Sequence, residues 1–138
     1  MKNILFLCTG NSCRSQMAEG WGKFLKGDKF NFYSAGTKKH GLNPYAIEVM
    51  KEADIDITSH ESNTLDELKD IKLDYVFTVC SDAHENCPIL PGVKTIHVGF
   101  DDPPRLTEDL EGEDRLVVYR RVRDEIKDFI SHIEEHIS

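Results

Sequence analysis

One run near the N-terminus, Cys8-Thr9-Gly10-Asn11-Ser12-Cys13-Arg14-Ser15, carries the residue types that a small tetrahedral oxyanion needs. A sulfur nucleophile opens it and a guanidinium nearly closes it. A connection this short curls so that successive backbone N–H groups turn inward as a nest. A helix starting directly after it adds the positive end of its dipole. Arg14 can hold two oxygens side by side, a geometry that lysine lacks. Gly10 and Asn11 are types that tolerate the left-handed backbone of a tight curl. The same field favours the Cys8 thiolate, since helix N-termini and nearby cations bring a thiol from ~8.5 into the ~3.5–7.5 range. Ser15 is expected to donate its hydroxyl to that sulfur. The competing reading makes Cys8 a small buried residue ending a strand, but the Arg, the Gly-Asn pair and the strand–loop–helix setting together favour an anion site. Nucleotide binding has no support: there is no G-x-x-x-x-G-K-[ST], and Gly20-Trp21-Gly22 lacks the third glycine of G-x-G-x-x-G.

Such a loop has to be presented by regular elements. Ile4-Leu5-Phe6-Leu7 is a continuous apolar run that suits a strand buried on both faces. From Ser15 onward Met17, Ala18, Trp21, Phe24 and Leu25 recur at helical spacing, which predicts a helix with its aromatics in the core. Residues 30–34 read as a strand ending at Gly36. Asn43-Pro44 is a helix start, with Asn as the cap and Pro at the first helical position. A short helix is expected over 65–69, and strands over 75–79 and 95–98. From Leu116 the residues Tyr119, Val122, Ile126, Phe129, Ile130, Ile133 and Ile137 fall on one side, predicting a long closing amphipathic helix. Strands separated by helices imply an α/β fold: three layers, with a small central parallel sheet of about four strands flanked by helices. The strands then end at one edge, where open α/β sheets bind ligands. Cys8, Cys80 and the pair Asp101-Asp102 all follow strands, so the topology gathers them at that rim.

Composition narrows the classes of function. The chain has 138 residues, which fits a single domain over 1–138. With 17 Lys+Arg against 25 Asp+Glu it carries a net charge of −8, which disfavours nucleic acid and anionic membrane as partners. No apolar run reaches the ~20 residues of a membrane span, and the first apolar run is too short for a signal-peptide core. A soluble, cytoplasmic protein is expected, with a monomer as the default state. Four cysteines are too sparse for a disulfide scaffold, so the thiols call for another explanation.

Cys80 and Cys87 admit several readings. Zinc pairs usually sit about two to four residues apart, and a four-cysteine site including Cys13 would set a metal beside Arg14. Chance is the other bland account. Asp101 and Asp102 precede Pro103, as turn residues often do, but the strand-edge position favours an acid role for Asp102 and leaves Asp101 open both ways. His132 and His136 lie at i, i+4 without the glutamate of H-E-x-x-H and read as a solvated face. His40, His60, His84 and His97 show no ligand spacing.

The pattern Cys8-x5-Arg14-Ser15 resembles the low-molecular-weight protein tyrosine phosphatase fold. The longer string from Cys8 to Gly20 is similar to the thioredoxin-coupled arsenate reductases built on that fold. The likeness runs on through Tyr33-Ser34-Ala35-Gly36, Val79-Cys80-Ser81-Asp82, Asn86-Cys87-Pro88, Gly99-Phe100-Asp101-Asp102-Pro103 and Arg121-Val122-Arg123-Asp124-Glu125-Ile126. The resemblance implies reduction of arsenate to arsenite by a three-thiol cascade. Cys8 would attack arsenate held by Thr9, Gly10, Asn11, Ser12, Cys13, Arg14 and Ser15, with Asp102 as general acid. Cys80 would then take over the bond to Cys8, Cys87 would resolve it, and thioredoxin would reduce the Cys80–Cys87 disulfide. No bound group is expected to carry the electrons, and phosphate and sulfate would compete with arsenate. Closing a disulfide across 81–86 would require that segment to change conformation. Cys13 is expected to be a packing residue. Some relatives bind potassium, and Asn11, Glu19 and Ser34 match those ligand positions, although Asn63 stands where some have Asp. Pro103-Pro104-Arg105 lacks the aromatic residues that the tyrosine phosphatases place after their acid.

Overall fold

The structure, a computed structural model, describes residues 1–8, 10–38, 40–79 and 92–137. Cys80, Cys87 and the segment 81–86 lie outside the described residues, as does Thr9. In chain order the elements are β1 (Lys2–Cys8), α1 (Arg14–Lys26), β2 (Phe30–Gly36), α2 (Pro44–Glu52), β3 (Tyr75–Thr78), β4 (Lys94–His97), α3 (Pro103–Leu106) and α4 (Gly112–Ser131). Single 3-10 turns form at Asp66–Leu68 and Ile133–His136.

The sheet is four-stranded in the order β2-β1-β3-β4, and every pairing is parallel. β1 lies inside the sheet, which is why its apolar run is continuous: Ile4, Leu5 and Phe6 are all fully buried. On one face Phe6 stacks with Phe32 and Phe77 at 5.9 Å each, and Phe77 meets Phe129 of α4 edge-on at 5.4 Å. α1 covers the same face, since Glu19 bonds to Ser34, in register with Phe6. Leu7 points the other way, toward Leu65, Leu68, Ile71 and Val93 around a cavity of about 680 Å³. On that face the short helix expected over 65–69 is only the 3-10 turn.

α2 starts as its cap chemistry requires. Asn43 Oδ1 accepts from the N–H groups of Tyr45 and Ala46, with Pro44 at the first position. The closing helix begins earlier than expected, at Gly112, and ends at Ser131. The chain then tightens into the 3-10 turn, so His132 and His136 do not share a helical face. His132 Nδ1 sits against the Asp128 carbonyl oxygen, and the His136 ring lies 5.0 Å from that of Phe129. α1 also departs from its periodicity. All nine residues from Arg14 to Gly22 are buried, polar ones included, while Phe24 is 63 % exposed. The first turns are enclosed on every side, whereas the exposed Phe24 meets the Trp21 ring at 6.2 Å, tilted by 70°.

Candidate active site

In the described part of the loop between β1 and α1, Asn11 makes the turn. Its φ of +49° is the left-handed conformation that Asn tolerates better than most residues. Gly10 has a different task from the one expected, because its φ is not positive. A Cβ there would lie 2.3 Å from His40 Nδ1, so glycine lets the His40 ring pack against the loop. Three further tethers fix the loop backbone. His40 N–H donates to Gly10 O (3.0 Å), Ser62 Oγ donates to the same oxygen (3.0 Å), and Asn43 N–H donates to Ser12 O (2.9 Å).

The Asn11 side chain is fully buried and works as a bracket. Its Nδ2 donates to the carbonyls of Ser34 (3.3 Å) and Asn63 (3.4 Å), and its Oδ1 accepts from Ser15 Oγ at 2.8 Å. An amide oxygen only accepts, so the Ser15 proton is directed at Asn11 and not at the Cys8 sulfur, as the sequence had suggested. Gln16, also fully buried, donates to Asn11 O (3.1 Å) and Glu61 O (3.0 Å), which turns its Oε1 toward His60 Nδ1 at 3.0 Å. That pairing fixes the tautomer: His60 carries a proton on Nδ1. Burial pushes the His60 imidazole below its ordinary value, against the opposing pull of Glu19.

Cys8 ends β1, is 5 % exposed, and accepts from Thr37 N–H through its carbonyl oxygen (3.3 Å). Cys13 is fully buried, and desolvation raises its thiol to about 12, so it is a packing group. It also occupies the cap position of α1 without making a side-chain cap bond, which leaves first-turn N–H groups for a ligand. Arg14 lies over the loop, 8 % exposed. Its Nη1 donates to Phe100 O (3.0 Å), and its Nη2 faces Asp102 Oδ1 at 3.7 Å. Among the described residues, Arg14 Nε is buried with no hydrogen-bond partner. A buried guanidinium N–H without an acceptor is costly, and a tetrahedral anion in the loop would supply one.

The two acids separate clearly. Asp101 forms a 3.0 Å ion pair with Arg121 of α4 and faces away from the loop arginine, whereas Asp102 faces Arg14 with its side chain 40 % exposed. The residues expected around potassium also converge, but they are already satisfied. Glu19 is engaged by the Ser34 hydroxyl and the Lys23 ammonium, with His60 Nε2 at 3.7 Å. A potassium ion would compete with Lys23 for that carboxylate, and Asn63 contributes no charge to hold it. This donor set does not fit a separate cation. No group of three or more His, Cys, Asp or Glu that could hold a metal occurs among the described residues.

His40, His60, Ser62, Asn63 and Gln16 build the site, and of these only Gln16 lies within the string from Cys8 to Gly20. The bonds that recruit His60, Ser62 and Asn63 reach across 44 to 52 positions of sequence.

The family model described as low molecular weight phosphotyrosine protein phosphatase matches residues 3–138. The chain belongs to that family. Within it, the chain is 56 % identical over 127 residues to an arsenate reductase of Staphylococcus aureus strain N315, covering 91 % of each chain. Among solved structures of the fold it resembles an arsenate reductase in the phosphate binding state, with a TM-score of 0.79 and 30 % identity over the full length of both chains. It also resembles a thioredoxin-dependent arsenate reductase of Corynebacterium glutamicum, with a TM-score of 0.74 and 26 % identity, covering 99 % of this chain and 62 % of that one.

Proposed function

We propose that this phosphatase-family chain is an arsenate reductase that passes two electrons from thioredoxin to arsenate through Cys8, Cys80 and Cys87. The observation that carries the reading is the loop itself. Cys8 ends a strand before a turn made by Asn11, with a buried Arg14 Nε that has no partner among the described residues and Asp102 3.7 Å from the same guanidinium.

The Cys8 thiolate attacks arsenic while the loop N–H groups and Arg14 hold the arsenate oxygens. Asp102 gives a proton to the departing hydroxide, which leaves as water. Cys80, as thiolate, attacks the Cys8 sulfur. The sulfur–arsenic bond breaks with its electron pair going to arsenic, which leaves as arsenite, and a Cys8–Cys80 disulfide remains. Cys87 attacks Cys80, returning the Cys8 thiolate and forming a Cys80–Cys87 disulfide. A thioredoxin dithiol reduces that disulfide and is itself oxidised. The electrons travel through sulfur alone. Phosphate and sulfate compete for the loop. The chain acts as one domain and as a monomer, in the cytoplasm where thiols are kept reduced.

Arsenite formation by the purified protein with thioredoxin, its reductase and NADPH tests the reading, with each thiol replaced in turn. Cys8→Ser, Cys80→Ser and Cys87→Ser should each abolish turnover. Near-parent arsenite formation by Cys80→Ser would overturn the route through Cys80, whereas phosphomonoester hydrolysis without arsenite formation in the parent would favour a hydrolase that uses Cys8, Arg14 and Asp102. That hydrolase chemistry shares the first attack, which supports a weak phosphatase side activity. Pro103 and Pro104 stand beside the acid and offer no aromatic ring for a phenol to stack on.

A further inference from the structure

A trans peptide points its C=O and its N–H in opposite directions, so whatever holds the carbonyls of the oxyanion loop also aims its N–H groups. Three successive carbonyls there are held by protein donors. Gly10 O accepts from His40 N–H and Ser62 Oγ, both at 3.0 Å. Asn11 O accepts from Gln16 Nε2 at 3.1 Å, and Ser12 O accepts from Asn43 N–H at 2.9 Å. The N–H groups of the same three peptides, on Asn11, Ser12 and Cys13, face away from these donors. None of them donates to a backbone oxygen among the described residues. Two of the four bonds come from side chains, and those two are unequal. Gln16 is fully buried, and its amide has one orientation available. Nε2 gives its second proton to Glu61 O at 3.0 Å, and Oε1 faces His60 Nδ1 at 3.0 Å. Carbonyls only accept, so the amide cannot be reversed. Among the described residues Gln16 alone donates to Asn11 O, whereas Gly10 O keeps the His40 N–H when Ser62 is removed.

We infer that Gln16 and Ser62 are positioning residues for the oxyanion: by holding Asn11 O and Gly10 O they aim the Ser12 and Asn11 N–H groups at the bound anion and set its affinity. Their role rests on the reading of this loop as the arsenate site. Neither side chain needs to touch the anion. A buried amide is costly unless its polar atoms are used, and Gln16 uses all of them on the loop and on residues 60 and 61 beside it. Donors fixed before the anion arrives need no reorganisation on binding. Releasing Asn11 O lets the Ser12 N–H swing out of aim and weakens binding, although Arg14 stays.

The test titrates inorganic phosphate calorimetrically into the reduced protein, and measures arsenite formation with thioredoxin and the melting temperature of each variant. Gln16→Met keeps the length and bulk and removes both donors. It should weaken phosphate binding about tenfold, as loss of a hydrogen bond to a charged group does, and lower kcat/KM for arsenate by at least the same factor. Ser62→Ala should weaken binding only about threefold, because His40 still holds Gly10 O. Ser62→Thr should restore the parent affinity. A purely structural role would lower the melting temperature and leave the affinity of the folded protein unchanged. Parent-like phosphate affinity in Gln16→Met or in Ser62→Ala overturns the inference, as does a larger loss in Ser62→Ala than in Gln16→Met. Ser62→Ala decides alone should Gln16→Met not fold. The parent separates the two readings. Phosphate binding without arsenite formation overturns the reductase and leaves the aiming of the amides to stand on the binding data. A parent that binds no phosphate overturns the loop as an oxyanion site and the inference with it.

Discussion

The oxyanion loop and the acid loop meet at Arg14, yet they are held by different means. Asn11, Ser15 and Gln16 are fully buried, and several of their bonds reach distant segments of the chain. The acid loop is half-open. Asp102 keeps a side chain 40 % exposed, and Asp101 is 61 % exposed in its pair with Arg121. A site for a fixed anion gains from rigid donors, since donors already in place need no reorganisation when charge arrives. A proton donor has to meet a departing group, and a half-exposed side chain leaves it room to do so. The contrast shows where rigidity is built and where adjustment is allowed.

Arg14→Lys tests the rigid side most severely. It removes the Nε and the planar fork, and kcat/KM for arsenate should fall about 100-fold or more. Steady-state arsenite formation checks it, and a loss under about threefold would show that point charge suffices. Asn11→Ala comes next. It strips one acceptor and two donors from their partners and puts at positive φ a residue that tolerates it less well than Asn, so stability should fall by about 3 kcal/mol. Urea denaturation midpoints report that value.

On the open side, Asp101→Asn should cost activity only a few-fold, because the Arg121 pair is exposed and weak. Asp102→Asn should lower kcat by about 100-fold or more. Equal losses from the two would erase the distinction that the geometry draws between them.

His60 gives the rigid side a pH signature. Its folded value lies below the ordinary one because burial disfavours the cation. The unfolded chain therefore takes up the proton first as pH falls below about 6.5, and the stability that His60 contributes at higher pH is lost through its lowered folded value. Melting temperature should fall more steeply as pH drops below about 6.5 in the parent than in His60→Gln. The smallest effect belongs to Cys13. With its thiol at about 12 it stays protonated at neutral pH, so Cys13→Ala should keep kcat within about twofold.

The sequence by itself determined whatever depends on neighbours along the chain. The string from Cys8 to Ser15 is contiguous, so its chemistry was legible before any fold. β1 was legible because a central parallel strand is buried on both faces, and α2 because its cap and first proline are adjacent. Tertiary structure alone decided what depends on distant partners. It gave the Asn11 amide the carbonyls of Ser34 and Asn63, and made Gly10 a place for His40 instead of a left-handed residue. It brought Ser34 and His60 to Glu19. It divided Asp101 from Asp102 by giving them different arginines, and it buried Gln16 while exposing Phe24. The physical reason is that a polar group's role is set by whichever donor or acceptor reaches it. In this protein those partners arrive from other elements, and spacing along the chain carries no record of them.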